Sequence, residues 1–287
     1  MQTPVDNAYI REYPKVSYVQ PTDPWLTRRV VGSLEVAFGR NKVQTVYDQL
    51  KNSGYGPDEF FAQALAAMDI TPIFDAAQLT KIPKDGPLVF VANHPYGVVD
   101  GLILCDLAMQ VRGDFRILIH AMLCQDEDLA EHFLPIDFQP GKAALKNNIK
   151  SKNEALECLS RDIPILIFPS GMVSTGDKLG FGKVNDAPWT TFAAKLIRDA
   201  HATVVPLYFH GRNSRKFHVA SHIAEPLRMA LLIHEALKKA GEEIHLRIGD
   251  PLTWSSLNQH DTRRALTNFL YTQVQALKNY STFSSPG

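Results

Sequence analysis

From about residue 80 onward, short apolar runs alternate with longer stretches in which apolar residues recur every three or four positions. The runs PLVFVAN (87–93), FRILIHA (115–121), IPILIFP (163–169), TVVPLYF (203–209) and IHLRIGD (244–250) predict strands. Between and after them, 100–110, 142–162, 187–200, 226–240 and 261–279 predict helices. Strand and helix taking turns in this way is the mark of βαβ units. The expected fold is therefore α/β, a mostly parallel central sheet flanked by helices.

The first 80 residues follow another pattern. Residues 1–20 are rich in Pro, Tyr and polar groups without a period and predict an irregular arm. A helix is expected from TDPWL, with Asp23 as cap, Pro24 at its first position, and Val30, Leu34 and Phe38 at helical spacing. A second is expected over 57–70, with Asp58 as its cap. The chain thus divides into an N-terminal arm and helical region, 1–80, and an α/β domain, 81–280, with STFSSPG as a frayed tail.

Composition narrows the function classes. The 287 residues are 45% hydrophobic and 21% charged, and 30 basic side chains balance 30 acidic ones. No overall field draws polyanions, so nucleic acid is not an expected partner. Cys105, Cys124 and Cys158 form no CxxC pair, which suggests a reducing compartment and neither a disulfide framework nor a thiolate metal site. The N-terminus lacks the basic start and apolar core of an export signal. The most apolar stretch carries His94 and Asp100 at its centre, so membrane contact is expected to be peripheral.

Ligands of open α/β sheets collect at the carboxyl ends of strands. Three predicted strands end there in NHPYGVVDG, PSGMVSTG and HGRNSRKF. A neutral imidazole at His94 can take a proton from an attacking hydroxyl, and a carboxylate at Asp100 can fix its tautomer. An isolated histidine and aspartate at such a place more often satisfy backbone groups and cap the next helix, and capping is compatible with catalysis. Arg212, Arg215 and Lys216 are candidates for holding an acidic head group, or are a solvated basic turn shaped by Asn213 and Ser214. Ser170 lies in no G-x-S-x-G elbow, which weakens it as a nucleophile.

Taken in order, NHPYGVVDG (93–101), IPILIFPSGMVS (163–174) and TVVPLYFHGRNSRKF (203–217) resemble three motifs of the glycerolipid acyltransferase superfamily. The nearest likeness is to its hemolysin-like or lyso-ornithine-lipid acyltransferase branch, and it extends from about residue 55 to 250. Two departures stand out. Five residues separate His94 from Asp100, against the commoner four, and Ser170 stands where many relatives have glutamate. Met172-Val173 lacks the basic residue associated with an acceptor phosphate, and Lys142, where a second motif would fall, reads equally as a solvated helix residue.

The resemblance implies an O-acyltransferase of membrane lipid synthesis with His94 and Asp100 as its catalytic pair. It implies substrate-binding positions at Asn93, Gly97, Phe168, Pro169, Ser170, Gly171, Arg212, Asn213 and Ser214, with amides near Gly97 or Gly171 as oxyanion donors. No metal and no bound cofactor are called for. The acyl donor would be a thioester of acyl carrier protein or coenzyme A, and the acceptor a lysolipid, a lyso-aminolipid such as lyso-ornithine lipid before lysophosphatidic acid. Other readings of the same fold are a 1-acylglycerol-3-phosphate acyltransferase, a serine esterase or thioesterase using Ser170, and a non-catalytic lipid-binding protein. An acceptor in the bilayer implies a cytoplasmic protein, peripheral on the inner face of the membrane. Trp25, Leu26, Val30, Leu34 and Phe38, mixed with Arg28, Arg29 and Arg40, suit either a lipid interface or core packing.

Overall fold

The computed structural model describes Ser17 and residues 24–124, 126–138, 141–223 and 225–279. The expected arm, apart from Ser17, the Asp23 cap and the C-terminal tail lie outside these residues. The five expected strands are present as β2 (Leu88–Ala92), β3 (Arg116–His120), β5 (Ile165–Ile167), β6 (Thr203–Phe209) and β7 (Glu243–Ile248). Two more go beyond the sequence pattern, β1 (Thr71–Ile73) and β4 (Phe133–Ile136). Each contains a proline, Pro72 or Pro135, which argues against a strand when only the sequence is read. Both are edge strands of the order β1-β7-β6-β2-β5-β3-β4, where a missing N–H is tolerated. All neighbours pair parallel except β6 and β7.

The helices are α1 (Trp25–Ala37), α2 (Arg40–Asn52), α3 (Phe60–Ala67), α4 (Val98–Arg112), α5 (Lys142–Ser160), α6 (Phe192–Ala200), α7 (Arg215–Ser221), α8 (Glu225–Lys238), α9 (Trp254–Leu257) and α10 (Arg263–Ala276). α2 escapes the sequence pattern because its residues, RNKVQTVYDQLKN, are mostly polar and bury only Leu50. α3 starts at Phe60 without a side-chain cap, so Asp58 does not cap it. The Asp58 carboxylate instead stands 3.7 Å from Nε2 of His132.

Continuous apolar strands reflect burial on both faces. Leu88, Phe90 and Ala92 of β2 point to one side, with Val205, Leu207 and Phe209 of β6. There they meet Phe61 and Leu65 of α3 and Ile103, Leu104 and Leu107 of α4. Val89 and Val91 point to the other, with Ile165 and Ile167 of β5, against Leu159 of α5, Ile197 of α6 and Leu270 of α10. Each such side chain, when fully buried, is worth about 1.5–3 kcal/mol. A third, smaller cluster joins Val173, Phe217 of α7 and Leu231 and Leu232 of α8, with Phe38 packed against it.

The expected boundary near residue 80 falls between β1, on the sheet edge, and β2 at the sheet centre. α1 divides along its length. Trp25, Leu26 and Val30 are 64%, 57% and 51% exposed, whereas Val31 is buried and Phe38 packs on the third cluster.

What positions the site is the central triplet β6-β2-β5. These three strands run parallel, so the segments that follow them leave the same edge of the sheet side by side. Asn93 reinforces this edge. Its side-chain amide donates to the Phe209 carbonyl (2.9 Å) and its side-chain oxygen accepts the Phe209 N–H (2.7 Å), tying β2 to β6 past the last strand residue. Replacing Asn93 with alanine leaves both Phe209 backbone groups unpaired in a buried place, at a cost of about 2 kcal/mol or more. Urea unfolding of Asn93→Ala should show a lowered midpoint with an unchanged slope.

Candidate active site

The chain leaves β2 through Asn93 and His94, turns at Pro95 to Gly97, and enters α4 at Val98. Gly97 sits at φ +90°, and a Cβ there would come within 3.1 Å of Leu232 and 3.2 Å of Val173, so the sharp entry suits glycine alone. The helix begins two residues earlier than expected. Asp100 is therefore its third residue and reaches back over the turn. One carboxylate oxygen, Oδ2, accepts the Tyr96 N–H (2.7 Å) and the Gly97 N–H (3.0 Å) and lies 3.1 Å from Nδ1 of His94. The capping and the catalytic readings thus describe the same oxygen.

Asp100 is fully buried, and that burial pushes its pKa up, while the His94 ring and the two amides pull it back down. Its other oxygen, Oδ1, has no hydrogen-bond partner among the described residues. With Nδ1 facing the carboxylate, Nε2 is the nitrogen left for a substrate, and 17% of the His94 side chain is exposed. The ring stacks on Phe168 from the β5 motif, with centroids 3.9 Å apart and planes 20° from parallel. Two sequence motifs meet in that contact.

The remaining candidates surround this pair. Pro169 accepts from the backbone and hydroxyl of Thr190 (3.0 and 3.2 Å). Ser170 donates its hydroxyl to the Met172 carbonyl within its own turn (2.8 Å), so the serine-nucleophile alternative lacks the serine-to-histidine hydrogen bond it would need. The amides of Gly97 and Gly171 are both engaged, with Asp100 and with the Phe168 carbonyl (2.9 Å). An oxyanion therefore needs other donors. The first amides of α4, at Val98 and Val99, have no partner within the helix and lie four and five residues from His94.

After β6, the Tyr96 hydroxyl donates to the His210 carbonyl (2.6 Å), and Asn213 donates to the Tyr96 carbonyl (3.4 Å). Ser214 caps α7, accepting the Phe217 N–H (3.4 Å), while its own N–H and hydroxyl donate to the buried Glu235 carboxylate. The expected basic turn is thus a helix start. Arg212 donates to the carbonyls of Gly180 (2.6 Å) and Gly182 (3.4 Å), and Arg215 to that of Leu179 (2.9 Å). Both guanidiniums hold the loop that follows the β5 motif.

Sequence reasoning missed Asp186. One of its oxygens accepts the His94 N–H (3.3 Å) and the Ser174 hydroxyl, and the other accepts the Trp189 indole N–H (2.9 Å). Ser174 in turn donates its N–H to the His94 carbonyl (2.7 Å). The segment NDAPW carries no pattern that ties it to a histidine 92 residues earlier. A separate group, Asp58, Glu131 and His132, brings possible metal-ligand atoms within 4.8 Å of one another and includes none of these residues.

Comparison with known proteins gives one account. The family described as "Acyltransferase" matches residues 42–283. A lyso-glycine lipid O-acyltransferase of Phocaeicola vulgatus is 30% identical over 210 residues, covering 69% of this chain and 71% of that protein. Another of the same name, from Bacteroides thetaiotaomicron, is 29% identical over 193 residues, covering 64% and 67%. Among solved structures, the 1-acyl-sn-glycerophosphate (LPA) acyltransferase PlsC of Thermotoga maritima aligns over 90% of this chain and 95% of its own, with 15% identity and a TM-score of 0.48. By the extent of the family match and the identity to the first of these relatives, the chain belongs to the acyltransferase family.

Proposed function

We propose that this acyltransferase moves a fatty acyl group from a thioester to the hydroxyl of a lysolipid, and that the acceptor is a lyso-aminolipid. The observation that carries the reading is the 3.1 Å contact between Nδ1 of His94 and the buried Asp100 carboxylate, which leaves Nε2 free to act as base. The acceptor oxygen attacks the thioester carbonyl as its proton passes to Nε2. The carbon–sulfur bond then breaks, and the imidazolium returns that proton to the departing thiolate. Asp100 holds the ring in one tautomer and offsets the charge that forms on it. The donor is a thioester of acyl carrier protein or coenzyme A.

Two observations favour an amino-acid head group over a phosphate monoester. Met172 and Val173 follow the Phe168–Gly171 turn, where the family resemblance associates a basic residue with an acceptor phosphate. The guanidiniums of Arg212 and Arg215 are already engaged with loop carbonyls. The names of the relatives point to the glycine-lipid member of the class rather than the ornithine one. No helix among the described residues is long and apolar enough to cross a membrane. The exposed Trp25, Leu26 and Val30, with Arg28 and Arg29 exposed beside them, support peripheral membrane contact, which we place at the inner face of the cytoplasmic membrane as part of the proposal.

His94→Ala should lower transfer by about 10³-fold or more while circular dichroism stays near wild type, with a lowered melting temperature because the buried Asp100 carboxylate loses one of its three donors. Ser170→Ala should keep most of the activity, and the opposite ranking of these two variants would favour an esterase. Asp100→Asn should lower kcat by about 10²-fold or more with little change in KM, because the ring loses its orienting partner. Purified protein offered lyso-glycine lipid, lyso-ornithine lipid and lysophosphatidic acid should show the highest kcat/KM with one of the two aminolipids. Preference for lysophosphatidic acid would contradict the acceptor assignment. Trp25→Ala combined with Arg28→Ala and Arg29→Ala should weaken sedimentation with anionic vesicles, and unchanged sedimentation would remove α1 from the membrane contact.

A further inference from the structure

Residues 174–186 form a loop whose two legs are both fastened to His94. Ser174 donates to the His94 carbonyl (2.7 Å), Asp186 accepts the His94 N–H (3.3 Å), and Thr175 and Asn185 pair across the base (3.0 and 3.2 Å). The tip, DKLGFGK (177–183), presents Leu179 and Phe181 to solvent, each 67% exposed. Among large apolar side chains of the described residues, only Ile223, just beyond α7, is more exposed.

This tip is held in shape. The Asp177 carboxylate accepts the Phe181 N–H (3.0 Å), and Arg212 and Arg215 bind the carbonyls of Leu179, Gly180 and Gly182. The Arg215 guanidinium lies 3.5 Å over the Phe181 ring. Gly180, at φ +73°, leaves no room for a Cβ, which would fall 2.9 Å from the Arg215 carbonyl oxygen. Fixing exposed apolar side chains costs conformational entropy and hydrophobic free energy, and it makes sense where they meet a surface.

The chemistry of that surface follows from charge and neighbours. Lys178 and Lys183 belong to the tip and are exposed, Arg212 and Arg215 bind it from the segment that also carries the exposed Lys216, and the one carboxylate within 177–183, Asp177, is engaged by the loop's own amides. Phe38, which ends α1 as its C-cap, Val173, and Phe217 of α7 meet in the third apolar cluster. Those same elements or their neighbours carry several of the other exposed apolar groups, Trp25, Leu26 and Val30 on α1, Met172 beside Val173, and Ile223 beyond α7, while Leu145 and Ile149 are exposed on α5. Apolar side chains backed by basic ones suit an anionic lipid interface.

We propose that the 177–183 tip is a lipid-inserting element that seats the active site on an anionic membrane, Leu179 and Phe181 entering the interface and the exposed Lys178, Lys183 and Lys216 lying among the head groups. This rests on the reading of a bilayer-resident acceptor and goes beyond contact through α1, because it brings lipid to a loop bonded to the catalytic histidine.

The test uses the full chain and vesicles of phosphatidylcholine and phosphatidylglycerol, first without acyl donor, so that partition is read independently of catalysis. Leu179→Ala combined with Phe181→Ala should partition about ten-fold or more weakly than wild type. Transfer to a vesicle-borne acceptor should fall in parallel, and transfer to a short-chain, water-soluble acceptor should hold. Phe181→Trp should be quenched by brominated lipid beyond the background from the native tryptophans, and this decides the matter if the double variant fails to fold. Wild-type partition in the double variant, or no added quenching of Phe181→Trp, overturns the proposal. Unchanged partition with a raised KM for an acyl-carrier-protein thioester also overturns it, assigning the tip to the carrier. Transfer retained by His94→Ala would sink the catalytic reading while leaving the partition result standing.

Discussion

A carboxylate with no exposure to water is the constraint on which this site depends. Burial raises the free energy of the Asp100 anion, and the same oxygen recovers it from three donors, the His94 ring and the amides of Tyr96 and Gly97. All three donors belong to the turn between β2 and α4. The turn is therefore folded around the charge, and the imidazole is fixed as a consequence. Neither the strand nor the helix alone would hold a histidine in one orientation.

The rest of the fold brings chemistry to that turn. Because β2 lies between β5 and β6 and all three run the same way, three segments far apart in sequence leave the sheet together. The β5 segment supplies Phe168, on whose face the His94 ring stacks, and the loop fastened to both backbone groups of His94. The β6 segment supplies Arg212 and Arg215, which shape that loop, and the hydroxyl contact from Tyr96 closes the circle. Basic residues that suggest a head-group site in the sequence do their bonding inside the protein. That observation is one ground on which the proposed acceptor is other than a phosphate monoester.

Much of this architecture is legible in the amino-acid sequence. β2, β5 and β6 are continuous apolar runs because they are buried on both faces, and β7 alternates because only one of its faces is buried, so both patterns show directly in the residues. The edge strands are hidden by Pro72 and Pro135, and α2 by its polar composition. His94 and Asp100 are visible as ionisable residues at the end of an apolar strand. Their division of labour is not, since a helix start two residues earlier decides whether Asp100 caps from outside or reaches back from the first turn. Asp186 is illegible for a different reason. Trp189 and Ser174 are near it in the chain, but the partner that matters, His94, comes 92 residues earlier, and no local spacing marks that contact.

The central claim is that Asp100 holds His94 with its proton on Nδ1 and a lone pair on Nε2. Nitrogen-15 NMR of imidazole-labelled protein at neutral pH reads this directly. The account predicts that the His94 signal is that of the Nδ1–H tautomer in the wild-type protein and becomes a mixture in Asp100→Asn. An Nε2–H tautomer in the folded wild-type protein would contradict it, because the nitrogen meant to accept the acceptor's proton would already carry one.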